Sequence, residues 1–278
     1  MEVRFHESVD EFQAIAEPIY RRDPVTHTIE LTALRSAPPD SLLLTVWDDG
    51  IPVGAAMQTP PYPLTCNAIR IDCVGAVADA VAQVHPELSG VRGGRDATFA
   101  FADAWEAVTG RTGHVSVEER LYRLGTLRPP SGVAGSSRAA DADDRELLVD
   151  WVELFFGETF SHQRNDAAGE RFVDAAADKG DLFVLWCVDA APVSMAMLRA
   201  PAAGVSRIGP VFTPSAQRGH GYGSAVTAAA ADLALRRGVT DVVLFADLAN
   251  PTSNAIYQRI GFEAAGDSVR IDFCRDNQ

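Results

Sequence analysis

Hydrophobic and polar residues alternate along this chain in two ways, and each predicts a different element. Short apolar runs bounded by turn residues predict buried strands, and longer stretches with one apolar face predict amphipathic helices. In the first half, strands are predicted near residues 3–6, 42–57 and 114–124, and helices from residue 8 and near 76–84 and 96–108. In the second half, strands are predicted near residues 182–188, 192–198, 206–212, 241–246 and 268–273, with helices between them. This layout predicts a mixed α/β fold.

A pattern of strand, tight turn and strand occurs twice, 140 residues apart. Asp49-Gly50 is a hairpin turn signal in the first copy, and Asp189-Ala190 stands at the same place in the second copy with less favourable turn residues. In each half the hairpin follows a short strand and an acidic-capped helix, so we interpret the match as an internal duplication. The matching residues are Leu42, Asp49, Pro52, Val53, Ala56, Met57 and Pro61 in the first copy and Leu182, Asp189, Pro192, Val193, Ala196, Met197 and Pro201 in the second.

Loop residues separate the two halves. Pro129-Pro130, Ser131-Gly132 and the segment from Gly135 to Ser137 favour turns over helices or strands. We therefore predict two domains, at residues 1–130 and 131–278. The length of the chain agrees with two domains of ordinary size.

The charge balance bears on the possible partners. Aspartate and glutamate outnumber lysine and arginine by 38 to 24, which gives a formal net charge of -14. Such a charge repels phosphate backbones and anionic lipid, so neither nucleic acid nor a membrane surface is expected as a partner. The beginning of the sequence contains no apolar signal core, and no apolar helix is long enough to span a bilayer, so we expect a cytoplasmic protein.

Cysteine and histidine spacing gives no sign of a metal site. The four cysteines include no C-x-x-C pair, and the six histidines include no pair at i, i+4. We therefore expect reduced cysteines in the core and no bound metal.

The chemistry is concentrated in a glycine-rich loop between a strand and an alanine-rich helix. Gly219, Gly221 and Gly223 leave the loop backbone free of side chains, so its amides can turn inward at the start of the helix. Orphan amides and the helix dipole together favour phosphate oxygens. A Walker loop would need lysine after the last glycine, and the dinucleotide fingerprint would need a different glycine spacing. Taken alone, the loop is equally compatible with a turn that binds nothing.

The wider context resembles the GNAT N-acetyltransferase superfamily. The stretch from Arg218 to Gly223 is similar to the R/Q-x-x-G-x-G/A pyrophosphate loop of that family, and the stretch from Leu248 to Asp267 is similar to its second signature, an asparagine- and tyrosine-containing helix closed by Gly-Phe. The resemblance covers residues 137–273 directly and reaches the first half only through the repeat. It implies two tandem copies of a mixed, mostly antiparallel splayed sheet flanked by helices, with acetyl-CoA as cosubstrate and no metal.

The resemblance also implies roles for individual residues. The strand end would pair with the pantetheine arm, the loop amides would hold the diphosphate, two asparagines would touch the cofactor or shape its exit, and Tyr257 would protonate the leaving thiolate. Helix caps or turns explain the two asparagines equally well, and a core aromatic is the other interpretation of Tyr257. The cofactor-binding candidates are Val211, Phe212, Thr213, Arg218, Gly219, His220, Gly221, Tyr222, Gly223, Ser224, Asn250 and Asn254.

The implied reaction is direct transfer of the acetyl group to a primary amine of a small molecule or peptide. The strand position that carries a glutamate base in histone-acetylating members is Arg207 here, so the general base is left open. Glu158 and His162 are candidate substitutes, although a surface helix end explains both equally well. Because that glutamate is missing, a non-catalytic acyl-CoA binding or sensing protein is the alternative hypothesis.

The first half lacks the glycine loop. Where the duplicate should carry it, residues 67–84 contain the single glycine Gly75. We therefore predict that the first domain is a degenerate copy that does not bind coenzyme A in the usual way.

Overall fold

The structure, a computed structural model, describes residues 1–160 and 163–273, without the side chain of residue 160. Its contacts divide the chain into two compact units. The first contains Met1–Leu121, Ala246–Asn250 and residues 265–273, and the second contains Tyr122–Phe245 and Pro251–Ala264. The two-domain division at residue 130 stays a prediction. The contact units differ from it because residues 122–130 group with the second unit and two C-terminal segments group with the first.

The first unit is a sheet with helices packed against it. In sheet order its strands are β1, β2, β3, β4, β5, β12 and β6, of which β4 and β5 are parallel and the other registered neighbours are antiparallel. The strands are β1 (Glu2–Phe5), β2 (Leu42–Asp48), β3 (Ile51–Gln58), β4 (Leu64–Ala68), β5 (Gly90–Gly94), β6 (Gly113–Leu124) and β12 (Phe262–Phe273), and the helices are α1 (Val9–Tyr20), α2 (Thr28–Leu34), α3 (Val74–Val84) and α4 (Arg95–Thr109). Residues 122–124 of β6 and residues 262–264 of β12 belong to the second unit.

The second unit repeats this plan. Its strands lie in the order β11, β10, β9, β8 and β7, and the pair β10 and β11 is parallel. The strands are β7 (Ser136–Ala139), β8 (Leu182–Val188), β9 (Ala191–Leu198), β10 (Val205–Phe212) and β11 (Asp241–Asp247), and the helices are α5 (Arg145–Phe160), α6 (Asp166–Asp178), α7 (Tyr222–Arg236) and α8 (Pro251–Ile260). The predicted strands of this half and the predicted alanine-rich helix, α7, are present.

The hairpins of the two units have the same register. Leu42 pairs with Gln58 and Asp48 with Ile51, and 140 residues later Leu182 pairs with Leu198 and Val188 with Ala191. The register shifts once in each hairpin, after Val46 in the first and after Trp186 in the second, again 140 residues apart. A shared bulge in a shared register supports the duplication that the sequence predicts, because a chance match of apolar residues would not fix a bulge.

Each unit has its own hydrophobic core. In the first, α3 and α4 cover the sheet, and Trp105 packs against Phe101 and Phe273 at ring-centroid distances of 6.1 and 5.3 Å. In the second, α5 packs against β10, with the ring centroids of Trp151 and Phe212 6.2 Å apart. The prediction of a mixed α/β fold with a mostly antiparallel sheet is confirmed.

Among the described residues, we find no helix with the length and apolar character needed to cross a membrane.

Candidate functional site

The parallel strands β10 and β11 separate partway along their length. Their pairing runs from Val205 opposite Asp241 to Ile208 opposite Leu244. Beyond that point β10 continues against β9, where the register shifts and Val211 and Phe212 face Ala196 and Met195. Within the described part of this unit, Val211 and Phe212 have no registered strand partner on the β11 side. This split leaves a strand edge on which an extended ligand could pair with the backbone.

The strand end is held in place by two hydroxyl groups. Ser194, fully buried in β9, donates from its Oγ to the carbonyl of Phe212 at 3.0 Å. Because that bond uses the only hydroxyl proton of Ser194, the contact of 2.8 Å between Ser194 Oγ and Thr213 Oγ1 has Thr213 as donor. Ser194 is not among the residues predicted from the sequence, although a serine inside an apolar strand indicates a local hydrogen bond.

The glycine-rich loop leads directly into α7. Gly219 and Gly221 have φ angles of 85° and 82°, which glycine adopts without strain. The first intrahelical bond runs from the amide of Ala225 to the carbonyl of Gly221. Within the described residues, the amides of residues 219–224 therefore have no acceptor from the chain. A row of unpaired donors at the positive end of a fifteen-residue helix is suited to phosphate oxygens.

The side chain of Arg218 turns back towards the strand. Its Nε donates to the carbonyl of Thr213 at 2.9 Å, and its Nη2 pairs with the Glu158 carboxylate on α5 at 2.5 Å. About half of each charged side chain is exposed. Because its carboxylate is held by a guanidinium, Glu158 is poorly placed to accept an amine proton. The other candidate base, His162, lies outside the described residues.

The two aromatic residues of the loop stack on each other. The rings of His220 and Tyr222 are 5.3 Å apart with an interplanar angle of 13°. His220 donates from Nδ1 to the carbonyl of Gln217 at 3.3 Å, which fixes its ring. Ser224 lies in the first turn of α7.

Tyr257 lies on α8 between two aromatic rings. Tyr122 meets its ring edge-on at 6.4 Å and Phe262 does so at 6.3 Å. The residue keeps part of its surface exposed, and burial of the rest raises the pKa of Tyr257 to about 12. Its hydroxyl makes no hydrogen bond within the described chain. The hydroxyl is thus protonated near neutral pH and available as a donor.

Asn254 and Asn250 are in different surroundings. Asn254, one turn before Gln258 on α8, accepts a hydrogen bond at Oδ1 from the Tyr122 hydroxyl at 2.8 Å. Asn250 follows β11, and its amide donates to the carbonyl of Asp247 at 3.0 Å, the turn role that the sequence left open. It groups with the first unit. The cofactor roles of both asparagines stay predictions.

A cationic residue occupies the strand position at which the family resemblance places a general base. Arg207 lies on β10 opposite Val243. No carboxylate therefore occupies that position.

In the first unit, a side chain bridges the opening between β4 and β5, which corresponds to the opening between β10 and β11. β4 and β5 pair only at Leu64 opposite Val91 and Thr65 opposite Arg92. Just beyond, Asn67 accepts at Oδ1 from the amide of Gly94 at 2.8 Å. Its Nδ2 donates to the buried Glu30 carboxylate at 2.9 Å.

The helix that follows in the first unit also lacks the loop. α3 begins at Val74 after a short 3₁₀ turn and has no glycine at its N-cap, which is Cys73. The first unit therefore has the split strands of the second, with a side chain in the opening and no phosphate loop.

Comparison with known proteins gives a family match for part of the chain and a fold match for the whole. Residues 145–262 match the model of the acetyltransferase (GNAT) family. No curated protein matches the sequence.

Several solved structures share the fold over nearly the whole chain. An acetyltransferase of the GNAT family from Colwellia psychrerythraea aligns over 99% of this chain and 100% of its own, with a TM-score of 0.64 at 11% identity. A GCN5-related N-acetyltransferase from Kribbella flavida aligns over 92% and 96%, with a TM-score of 0.63 at 18% identity. A tandem GNAT protein from the clavulanic acid biosynthesis pathway aligns over 100% of both chains, with a TM-score of 0.61 at 14% identity.

Identities this low show a likeness in fold alone. The family match and the fold together indicate an acyl-transfer function. Residues 145–262 of this chain therefore match the acetyltransferase (GNAT) family, and the whole chain shares the fold of its solved members.

Proposed function

We propose that this protein transfers the acetyl group of acetyl-CoA directly to a primary amine, and that its second unit carries the reaction. The observation that carries the proposal is the row of unpaired amides at residues 219–224, placed at the helix end beside the split between β10 and β11. A diphosphate and an extended pantetheine arm are the groups that these two features fit.

The cosubstrate would lie along the strand edge and end on the loop. The backbone of Val211, Phe212 and Thr213 pairs with the pantetheine amides, and the amides of residues 219–224 hold the diphosphate. Arg218 adds a positive charge at the first loop position, where its guanidinium is already oriented by Thr213. The strongest part of this fit is the amides of residues 219–224, which have no acceptor within the described residues.

The chemistry requires little of the protein beyond positioning and one proton. The amine nitrogen forms a bond to the thioester carbonyl carbon, the C–S bond breaks, and the thiolate takes a proton from Tyr257. The amine releases one proton to solvent, and Tyr257 takes one back from solvent after the thiol leaves, so the protons balance. Strand amides near Val211 and Phe212 stabilise the oxyanion.

The first unit would not bind a second acetyl-CoA. Asn67 bridges the strands where the pantetheine arm would lie, and its bond to Glu30 holds it there. The chain would therefore have one acetyl-CoA binding site.

A steady-state assay tests this function. The wild-type protein is mixed with acetyl-CoA and a panel of small-molecule and peptide amines, and thiol release is measured. Amine-dependent release supports the transferase. Binding of acetyl-CoA without release for any amine would favour the alternative, a non-catalytic acyl-CoA sensor, for which Arg207 at the base position is the supporting observation.

A further inference from the structure

Tyr122 lies outside the segment that matches the GNAT family, yet its side chain is built into α8. It comes from the end of β6 and is fully buried. Its hydroxyl donates to Asn254 Oδ1 at 2.8 Å and accepts from Gln258 Nε2 at 3.2 Å. Asn254 and Gln258 are four residues apart and lie on one face of the helix. Tyr122 is thus fixed by both its donor and its acceptor.

The ring of Tyr122 in turn limits where Tyr257 can point. The two rings meet edge-on, 6.4 Å apart with an interplanar angle of 60°, and Phe262 meets the Tyr257 ring edge-on at 6.3 Å and 68°. Edge-to-face contacts of this kind are directional. Tyr257 has no hydrogen bond of its own in the described chain, so its orientation depends on packing, to which these two ring contacts contribute.

We propose that Tyr122 is a positioning residue for Tyr257, holding its hydroxyl at the place where the thiolate leaves. The inference rests on the proposed function, in which Tyr257 donates the proton. The Tyr122 hydroxyl acts through α8, since its two bonds hold the Tyr122 ring against the helix that carries Tyr257. Without those bonds the ring can tilt, and Tyr257 loses one of its two orienting neighbours.

The main test is a double-mutant cycle in the full-length chain. Tyr122→Phe keeps the ring and removes the hydroxyl, and we expect it to lower kcat about tenfold, with the Kd for acetyl-CoA unchanged. In the Tyr257→Phe background the same substitution should leave kcat unchanged, because there is no proton donor left to position. Equal losses of kcat in both backgrounds, or no loss in either, would overturn the proposal.

Control variants separate positioning from general damage. Tyr62→Phe makes the same chemical change at an exposed tyrosine and should leave kcat unchanged. Gln258→Met removes the donor to the Tyr122 hydroxyl and should lower kcat less than Tyr122→Phe does. If Tyr257→Phe alone leaves kcat unchanged, the acid role in the proposed function has failed, which is a different outcome from equal losses in the cycle.

A titration of tyrosine absorbance needs no activity. The difference between the wild type and Tyr257→Phe isolates the Tyr257 hydroxyl. Tyr122→Leu should lower the Tyr257 pKa, because water reaches the hydroxyl when the covering ring is gone. An unchanged titration in a folded Tyr122→Leu variant would show that Tyr122 does not enclose Tyr257 and would overturn the proposal.

Discussion

At the scale of single residues, Ala190 stands in a backbone conformation that suits glycine. Its φ is 67° after Asp189 at 47°, and the first hairpin has Asp49 at 47° and Gly50 at 78° in the same places. Both turns have the geometry that matches strand twist, and glycine is the residue that adopts it without strain. The second hairpin therefore folds with a less favourable residue than the first.

We expect Ala190→Gly to raise the free energy of unfolding by about 0.5–1 kcal/mol, since relief of the left-handed strain exceeds the entropy that glycine adds to the unfolded chain. Chemical denaturation of the full chain measures it. The reciprocal change, Gly50→Ala, should lower the free energy of unfolding by a similar amount. A loss of stability in Ala190→Gly would contradict the strain argument.

Tyr257→Phe keeps both aromatic contacts and removes the proton donor. We expect kcat to fall about a hundredfold with little change in the Kd for acetyl-CoA, because the donated proton matters only as the thiolate leaves. Steady-state kinetics and calorimetry measure the two quantities. Equal losses in both would mean that the residue contributes packing instead.

At the scale of elements, a substitution at Gly223, in the first turn of α7, tests the phosphate loop more cleanly than one at Gly221. Gly221 has a positive φ, and a Cβ there would lie 3.0 Å from Val133, so any substitution also strains the fold. Gly223 has no positive φ, and a Cβ there would meet only Thr213 Oγ1, at 3.2 Å. Gly75 is the matched control position for Gly223. It is likewise the second residue of its helix, α3, and no atom lies within 4 Å of an added Cβ.

Gly223→Val should weaken acetyl-CoA binding at least about tenfold, or ~1.4 kcal/mol, by keeping the diphosphate away from the amides. Gly75→Val should leave the affinity unchanged. Calorimetric titration of both variants decides the matter, and equal affinities would show that the loop does not hold the cosubstrate.

Helix α2 of the first unit carries a buried acid. Glu30 is 1% exposed, and burial raises the pKa of its carboxyl above the ordinary value. The folded chain thus keeps a proton that the unfolded chain releases first. The stability from this group is present below the unfolded pKa and is lost as pH rises through the folded pKa.

Glu30→Gln should therefore flatten the fall in unfolding free energy as pH rises above about 4.5, the ordinary pKa of glutamate. Denaturation of the wild type and the variant across that range measures it. If the unfolding free energies of the wild type and the variant rise together with pH, Glu30 does not cause a pH-dependent loss of stability.

At the scale of the whole molecule, we expect one acetyl-CoA per chain. The second unit offers the free amides, and in the first unit Asn67 lies in the opening between β4 and β5. Calorimetry gives the stoichiometry directly. A value of two would show that Asn67 can move aside and that the first unit is not degenerate in binding.

The pairing of β12 predicts how the chain responds to division. Residues 268–272 pair with residues 90–94 of β5, within the first unit. Residues 131–278 alone would leave this part of β12 without its partner, and an exposed strand edge promotes association. We expect this fragment to aggregate while the full chain stays soluble, as measured by size-exclusion chromatography. A monomeric fragment as active as the full chain would contradict this.

The sequence by itself determined the features that depend on neighbouring residues. Apolar runs and turn residues predicted both hairpins, because strand period and turn chemistry are local. The three glycines before an alanine-rich helix predicted the loop that Gly219 and Gly221 form. The repeat followed from comparing the chain with itself, and the shared bulge supports it.

The tertiary structure decided which distant residues meet. Tyr122 contacts Asn254 across 132 residues, and Arg218 pairs with Glu158 across 60. The side chain of Asn67 closes the first cleft, and β12 returns to pair with β5. Local periodicity shows which face of a strand or helix is buried, but it contains no information on which other element covers that face. The candidate acid was therefore visible in the sequence, whereas the residue that orients it was not.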